Sequence, residues 1–383
     1  MNVITNNTYI MDCHQHILDD FIFAFLEHEK EVVKGTFSAF DTVYAPMLRE
    51  EGVNFVNLVV GGDHVVQVLY SASNLRFWDA HKKIDALLTE LESGCSSFVI
   101  CRSSEDIDRV VEEGLIGLFL SLEGGIPLQG KPNLNLLSSL RSFYRMGLRS
   151  LQLTGNGRNR LGDGVAQERT QGRLTTFGRQ VVEEADRLGI LLDTAQLSDN
   201  GFYHLMELTN RPVVDSHCGC LAISDFPGNI SDERIARIAS SGGVVGISFR
   251  AANIAMHKDW PTAEDLINQI NHAVSIAGVD HVGLGPDFSA FLTPVDRVRE
   301  RGYSNLGPED TQFNRLTPVQ SEKFPGWVDG VWNGVRKSDF VDGYGAHGEF
   351  PGITGLLLTN GYNLEQIGKI LGGNMIRVYR DSL

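Results

Sequence analysis

Eight short, nearly continuous apolar runs recur along this chain, separated by amphipathic helical stretches, and nothing else in the sequence limits its fold as strongly. The runs lie at about 9–16 (YIMDCHQH), 54–60 (NFVNLVV), 116–122 (IGLFLSL), 149–153 (RSLQL), 189–195 (GILLDTA), 212–216 (PVVDS), 243–249 (GVVGISF) and 281–286 (HVGLGP). Strands that are apolar on both faces belong in parallel sheets covered by helices. The segments 135–146, 176–188 and 231–240 read as such helices, with Ser231 an N-cap ahead of acidic first-turn residues. Eight alternations of strand and helix predict an α/β chain closed into a (β/α)8 TIM barrel, with an open doubly wound sheet as the alternative. A further short strand is expected at 97–101 (SFVIC). A barrel of this kind needs roughly 250 residues and tolerates insertions. The 383 residues therefore predict one domain over 1–383, with a long insertion after strand eight at about 288–350. That stretch reads as a lid or oligomer contact, or as a solvated excursion, because barrel sites are built from the loops after the strands.

Charge narrows the partners. With 33 basic and 48 acidic residues the net charge is −15, which argues against nucleic acid and against an anionic membrane surface. No apolar stretch approaches the roughly 18 residues of a membrane span. The opening MNVITNNTYIMD lacks the basic start and apolar centre of a signal peptide, so a cytoplasmic location is expected. Five cysteines, an odd number in a large chain, predict reduced thiols rather than a disulfide framework.

The chemistry gathers at strand ends. His14 and His16 close strand one, and residues i and i+2 of a strand share a face, so the two imidazoles can grip one metal ion. Glu123 ends strand three, His217 ends strand six and Asp287 follows strand eight. All stand at the C-terminal rim, where a buried carboxylate or imidazole is costly unless paired or ligated. Asp287 is also the expected catalytic base, taking a proton from water made acidic by a metal. Cys13 and Cys218 adjoin ligands in sequence, and neighbouring strand residues point to opposite faces, so packing behind the site is expected of them rather than ligation.

These motifs, together with NGRNRLGDG at 156–164, LTTFGRQVVEEADRLGILLD at 174–193, GNISDERIARIASSGGVVGISF at 228–249, GLGPDF at 283–288 and ILGGNMIRVY at 370–379, resemble the membrane (renal) dipeptidase family of the amidohydrolase superfamily. Only about 290–345 is not covered. The resemblance implies two zinc ions, hydrolysis of dipeptides and of some β-lactams, and a homodimer. It implies ligands in an HxD pair on strand one, a bridging Glu on strand three, His on strands five and six, and Asp on strand eight. Glu123, His217, Asp287 and His14 match that pattern. His16 stands where the family has Asp, and Gln196 where it has His. Gly228 replaces an Arg that holds the substrate carboxylate, and Gly155 a His that supports the reacting carbonyl.

Charge weighs these departures. Two dications against the family's three carboxylates leave about +1; against Glu123 and Asp287 alone they leave about +2, and closely spaced ions need anions around them. One dication with two carboxylates is neutral. The expectation is therefore one tightly held divalent metal, zinc in the first place and iron or copper otherwise, at His14, His16 and Glu123 or Asp287. His217 lies close by, and Gln196, a poorer ligand than imidazole, is a further candidate. Arg158, Arg160, Asn229 and Arg250 are candidates to contact substrate in place of the missing arginine.

Three functions compete. The first is a metal-dependent hydrolase of an amide, peptide or lactam C–N bond in a small molecule, dipeptidase-like without being a standard dipeptidase. The second is a non-hydrolytic iron- or copper-dependent tailoring enzyme of natural-product biosynthesis. The third is a non-catalytic binding protein.

Overall fold

The computed structural model describes residues 8–63, 76–129, 137–258, 260–288, 341 and 350–383. The expected insertion at 288–350 lies outside them except for Phe288, Val341 and Phe350. Nine strands form one parallel sheet: β1 (Ile10–Gln15), β2 (Val53–Gly62), β3 (Phe98–Ile100), β4 (Ile116–Glu123), β5 (Leu148–Gln152), β6 (Leu191–Asp193), β7 (Val213–Cys218), β8 (Val244–Ile247) and β9 (Val282–Leu284). Neighbours run β1-β2-β4-β5-β6-β7-β8-β9. Strand β3 is the extra strand expected at 97–101. It pairs with the first residues of β4, Phe98 opposite Ile116, on the edge whose later residues pair with β5, Glu123 opposite Gln152.

The ends of the sheet meet where Gln15 bridges Phe288 and His16 N–H donates to Phe288 O at 3.2 Å. The result is a nearly closed eight-stranded parallel barrel, and the doubly wound alternative is excluded. Several strands are shorter than their apolar runs: 189–195 keeps only Leu191–Asp193, because the chain turns towards the rim at Thr194.

Alternation along β4 separates two cores. Leu118, Leu120 and Leu122 join the large cluster under the helices, while Phe119 points inward with Met11, Phe55, Leu191, Val214 and Val244. Helix Asn374–Ser382 plugs this interior from the N-terminal end of the strands. Its Tyr379 stacks on Phe119 with ring centroids 3.9 Å apart, and Asn374 donates to Val279 O and Val282 O at 2.7 and 2.8 Å. The outer helices begin and end where the sequence signals them. Thr175 caps Thr176–Leu188, which stops at Gly189 (φ 78°), and Ser231 Oγ accepts from Arg234 N–H at the start of Asp232–Ser240. Among the described residues no helix is long and apolar enough to cross a membrane.

Candidate metal centre

With the barrel floor filled, polar side chains gather at the C-terminal ends of the strands. The end of β1 is knitted by its own side chains. Asp12 accepts from His14 N–H at 3.0 Å and from the Gln15 amide at 2.9 Å, and Gln15 in turn accepts from His16 N–H at 2.8 Å. The β1–β2 register shifts between Asp12 and Gln15, so simple alternation does not govern this segment. His14 and His16 nevertheless converge as expected, Nε2 to Nε2 at 3.2 Å.

Glu123, His217 and Asp287 close around them. Glu123 Oε2 lies 4.0 Å from His14 Nε2 and 3.7 Å from His16 Nε2, and Asp287 Oδ1 lies 3.4 Å from His16 Nε2. The His217 ring lies against that of His14, tilted by 37° with centroids 3.8 Å apart. Two sets of three ligand atoms result, each within 4.8 Å of one another: His14, His16 and Asp287, and His14, Glu123 and His217. Gln196 spans the second set, its Nε2 donating to Glu123 Oε1 and meeting His217 Nε2, both at 3.0 Å. Its Oε1 is buried without a hydrogen-bond partner.

Backbone strain marks the same place. Gln196 (φ 60°) and Asp287 (φ 61°) are two of the three non-glycine residues with positive φ among the described residues. Such conformations cost roughly 1–3 kcal/mol each and persist where surrounding structure imposes them. The Gln196 carbonyl accepts from Val165 N–H at 2.9 Å, and just before it Asp193 Oδ1 accepts from Ala195 N–H and from Ser216 N–H, both at 3.0 Å, tying the ends of β6 and β7 together.

The donor chemistry suits a divalent cation. Burial, with His217 and His16 alongside, holds His14 well below the usual imidazole range, and burial lowers His217 too. Both rings therefore stay neutral with lone pairs to offer. Burial, against the partial relief given by His16, pushes Glu123 up to about 7, the mark of a buried carboxylate short of positive charge. Burial also opposes ionisation of Asp287, but Arg250, reinforced by His16, outweighs it and keeps that carboxyl well below the usual range.

The proposed substrate contacts divide. Arg250, just past β8, reaches the cluster, its Nε donating to Asp287 Oδ2 at 2.8 Å. Arg158 instead pairs with Asp163 and reaches Thr170 at 3.1 Å within its own loop. Arg160 lies over the Phe177 ring of an outer helix. Asn229 spends its amide on its own loop and on Asn253 of the helix after β8, accepting from Gly219 N–H and the Asn253 amide and donating to Ser224 O and Asn253 O. That leaves Asn229 no free valence for a substrate. At Gly228 a Cβ would meet the Phe226 ring at 2.7 Å, so the missing arginine has no ready space there.

The cysteines stay out of the centre. Burial raises the thiols of Cys13 and Cys218 well above their usual value and pushes Cys220 up to about 12, so they remain protonated and poor ligands.

Two supporting residues were not singled out from the sequence. Asp63, past β2, accepts from Ile126 N–H at 2.7 Å, Gly155 N–H at 2.9 Å and the Asn159 amide at 2.8 Å, tying together the loops after β4 and β5. Gly124 (φ 105°) must be glycine beside it, because a Cβ there would lie 2.3 Å from the Asp63 carboxyl carbon. Ser216 touches both His14 and His217. A buried aspartate directly after a strand was the available signal for Asp63. For Ser216 strand alternation pointed the wrong way.

A model of the membrane dipeptidase family (Peptidase family M19) matches residues 49–300, which leaves β1 and its two histidines outside the match. An uncharacterized protein in the pqqA 5′ region of Klebsiella pneumoniae is 27% identical over 229 residues, 54% of this chain and 82% of that protein. Dipeptidase verJ of Clonostachys rogersoniana is 26% identical over 212 residues, 55% of this chain and 53% of its own length; the chain thus spans about half of that relative. Among solved structures, a metallopeptidase from Rhodobacter sphaeroides, bound to a phosphinate mimic of the dipeptide L-Ala-D-Ala, matches with a TM-score of 0.71 at 18% identity. The match covers 98% of this chain and all (100%) of that one, and it shows a shared fold.

Proposed function

Since the chain belongs to the membrane dipeptidase family of metallohydrolases, we propose that it hydrolyses the C–N bond of a small amide, peptide or lactam, using one tightly held divalent cation, zinc in the first place. The convergence of His14, His16, Glu123, His217 and Asp287 on one point of the barrel rim carries this reading. His14, His16 and Asp287 would hold the ion, with Glu123 and His217 beside it. A cation there supplies Lewis acidity and makes water a competent nucleophile near neutral pH.

The chain's own residues do the rest. Asp287 is the base: Arg250 holds one of its oxygens, and the other faces the cluster and takes the proton of the attacking water. Gln196 stands where family members have histidine and directs an amide N–H at both Glu123 and His217. A donor in that position serves the Glu123 carboxylate, which is short of positive charge, and the Nε2 lone pair of neutral His217, without a second ion. With glycine at 228 and 155, the substrate is one that does not rely on the family's arginine and histidine contacts, which makes ordinary dipeptides poor substrates.

The test is metal content by inductively coupled plasma mass spectrometry on protein purified without a chelating tag, followed by a panel of dipeptides, N-acyl amino acids and lactams. Close to one zinc per chain and metal-dependent turnover are expected. No turnover with any metal would overturn the hydrolase. Iron or copper with oxygen uptake would favour the non-hydrolytic tailoring chemistry instead.

A further inference from the structure

Ser216 is fully buried, and its hydroxyl oxygen lies 2.9 Å from His217 Nδ1 and 3.3 Å from His14 Nδ1. A single oxygen thus stands behind both imidazoles, on the side away from their Nε2 atoms. Adjacent strand residues ordinarily face opposite ways. Here the β7–β8 register shifts between Asp215 and Cys218, and the bulge lets Ser216 and its neighbour His217 reach the same cluster. The Ser216 backbone is fixed from β6, where Asp193 Oδ1 accepts its N–H at 3.0 Å.

An imidazole that ligates through Nε2 while neutral must carry its proton on Nδ1, and that N–H needs an acceptor if it is buried. A hydroxyl oxygen has two lone pairs and can accept twice. We propose that Ser216 is the positioning residue of the metal centre, accepting from Nδ1–H of both His14 and His217 and so setting at once the tautomer and the angle of the ligand His14 and of His217 beside it. One oxygen serving both rings makes their orientations interdependent. His14 belongs to both candidate ligand triads, so the loss of Ser216 is felt by every arrangement of the ion.

The proposal rests on the metal-centre reading, and the test separates the two. Zinc affinity is measured by competition with a chromogenic chelator for the wild type, Ser216→Ala and Ser216→Thr, with thermal melts of the metal-free proteins as the check on folding. Ser216→Ala should bind zinc about 10–100-fold more weakly, the usual cost of losing a hydrogen-bond partner behind a ligand. Ser216→Thr, which keeps the oxygen, should stay near wild type. Nitrogen-15 spectra of the zinc-loaded wild type, which need no variant, should show His14 and His217 both protonated at Nδ1. Wild-type affinity in a folded Ser216→Ala, or either ring unprotonated at Nδ1, overturns the role of Ser216 while leaving the metal centre standing. A wild type that takes up no dication removes the metal centre and this role with it.

Discussion

Arg250 Nε donates to Asp287 Oδ2 at 2.8 Å, while the other oxygen of Asp287 faces His16 Nε2 at 3.4 Å. The guanidinium fixes the carboxylate in its left-handed backbone position and keeps it ionised. Removing the carboxylate should lower kcat about 10²–10⁴-fold, the usual share of a general base, while some metal stays bound to the remaining ligands. Steady-state kinetics and metal analysis of Asp287→Ala check this, and full turnover in that variant would show that the base lies elsewhere. Arg250→Ala should give a smaller loss of kcat, because the carboxylate remains but is no longer held.

Gln196 offers a test of metal count. Gln196→His places an imidazole between Glu123 and His217, where an amide now donates to both. Metal content after saturation and gel filtration should rise from near one towards two ions per chain. An unchanged ratio would mean that His16, rather than Gln196, sets the stoichiometry.

How far the sequence reaches is clearest by comparing these residues with Ser216. Apolar runs located all eight barrel strands, amphipathic patterning placed the helix 176–188, and a cap signal placed Ser231. The position of acids and histidines at strand ends pointed to the five that converge. All of that follows from periodicity and from the cost of burying charge. Ser216 was hidden because a β-bulge breaks the two-residue alternation on which the reading relied. Arg158 and Asn229 were legible only as polar residues in loops after strands, and a sequence does not show that Asp163 claims one and Ser224, Gly219 and Asn253 the other.

Asp63 should behave as a structural carboxylate. It accepts three hydrogen bonds from two loops, and in Asp63→Asn an amide N–H2 must face at least one of those donors. A loss of about 3 kcal/mol in urea unfolding is expected, since bonds to a charged acceptor contribute roughly 1.5–3 kcal/mol each and do not add simply. A loss below about 0.5 kcal/mol would show that the loops hold their positions without it.

Acid should unmask a second carboxylate far from the rim. Arg187, helped by Arg141, lowers Glu184 to about 2 from an ordinary 4.5. A depressed acid stabilises the folded state fully above its unfolded value, and that contribution fades as pH falls through the folded value. The stability gap between wild type and Glu184→Gln should therefore be constant from pH 7 to about 5 and shrink between roughly 4.5 and 2. Denaturant midpoints at pH 7, 4 and 2.5 would show it, and a gap independent of pH would mean that the arginines act through packing alone.

The stack of Tyr379 on Phe119 also governs how the molecule comes into being. The ring that shuts the barrel floor is encoded far downstream of the strand it rests on, so a growing chain on the ribosome can pair its early strands but cannot seal their interior. Until helix 374–382 emerges, the chain holds nothing to cover the face of Phe119 on which Tyr379 stacks. Long-range closure of this kind makes folding slow and exposes unfinished chains to aggregation. Small changes in the 374–382 helix should therefore lower the yield of folded protein more than they lower the activity of the molecules that succeed.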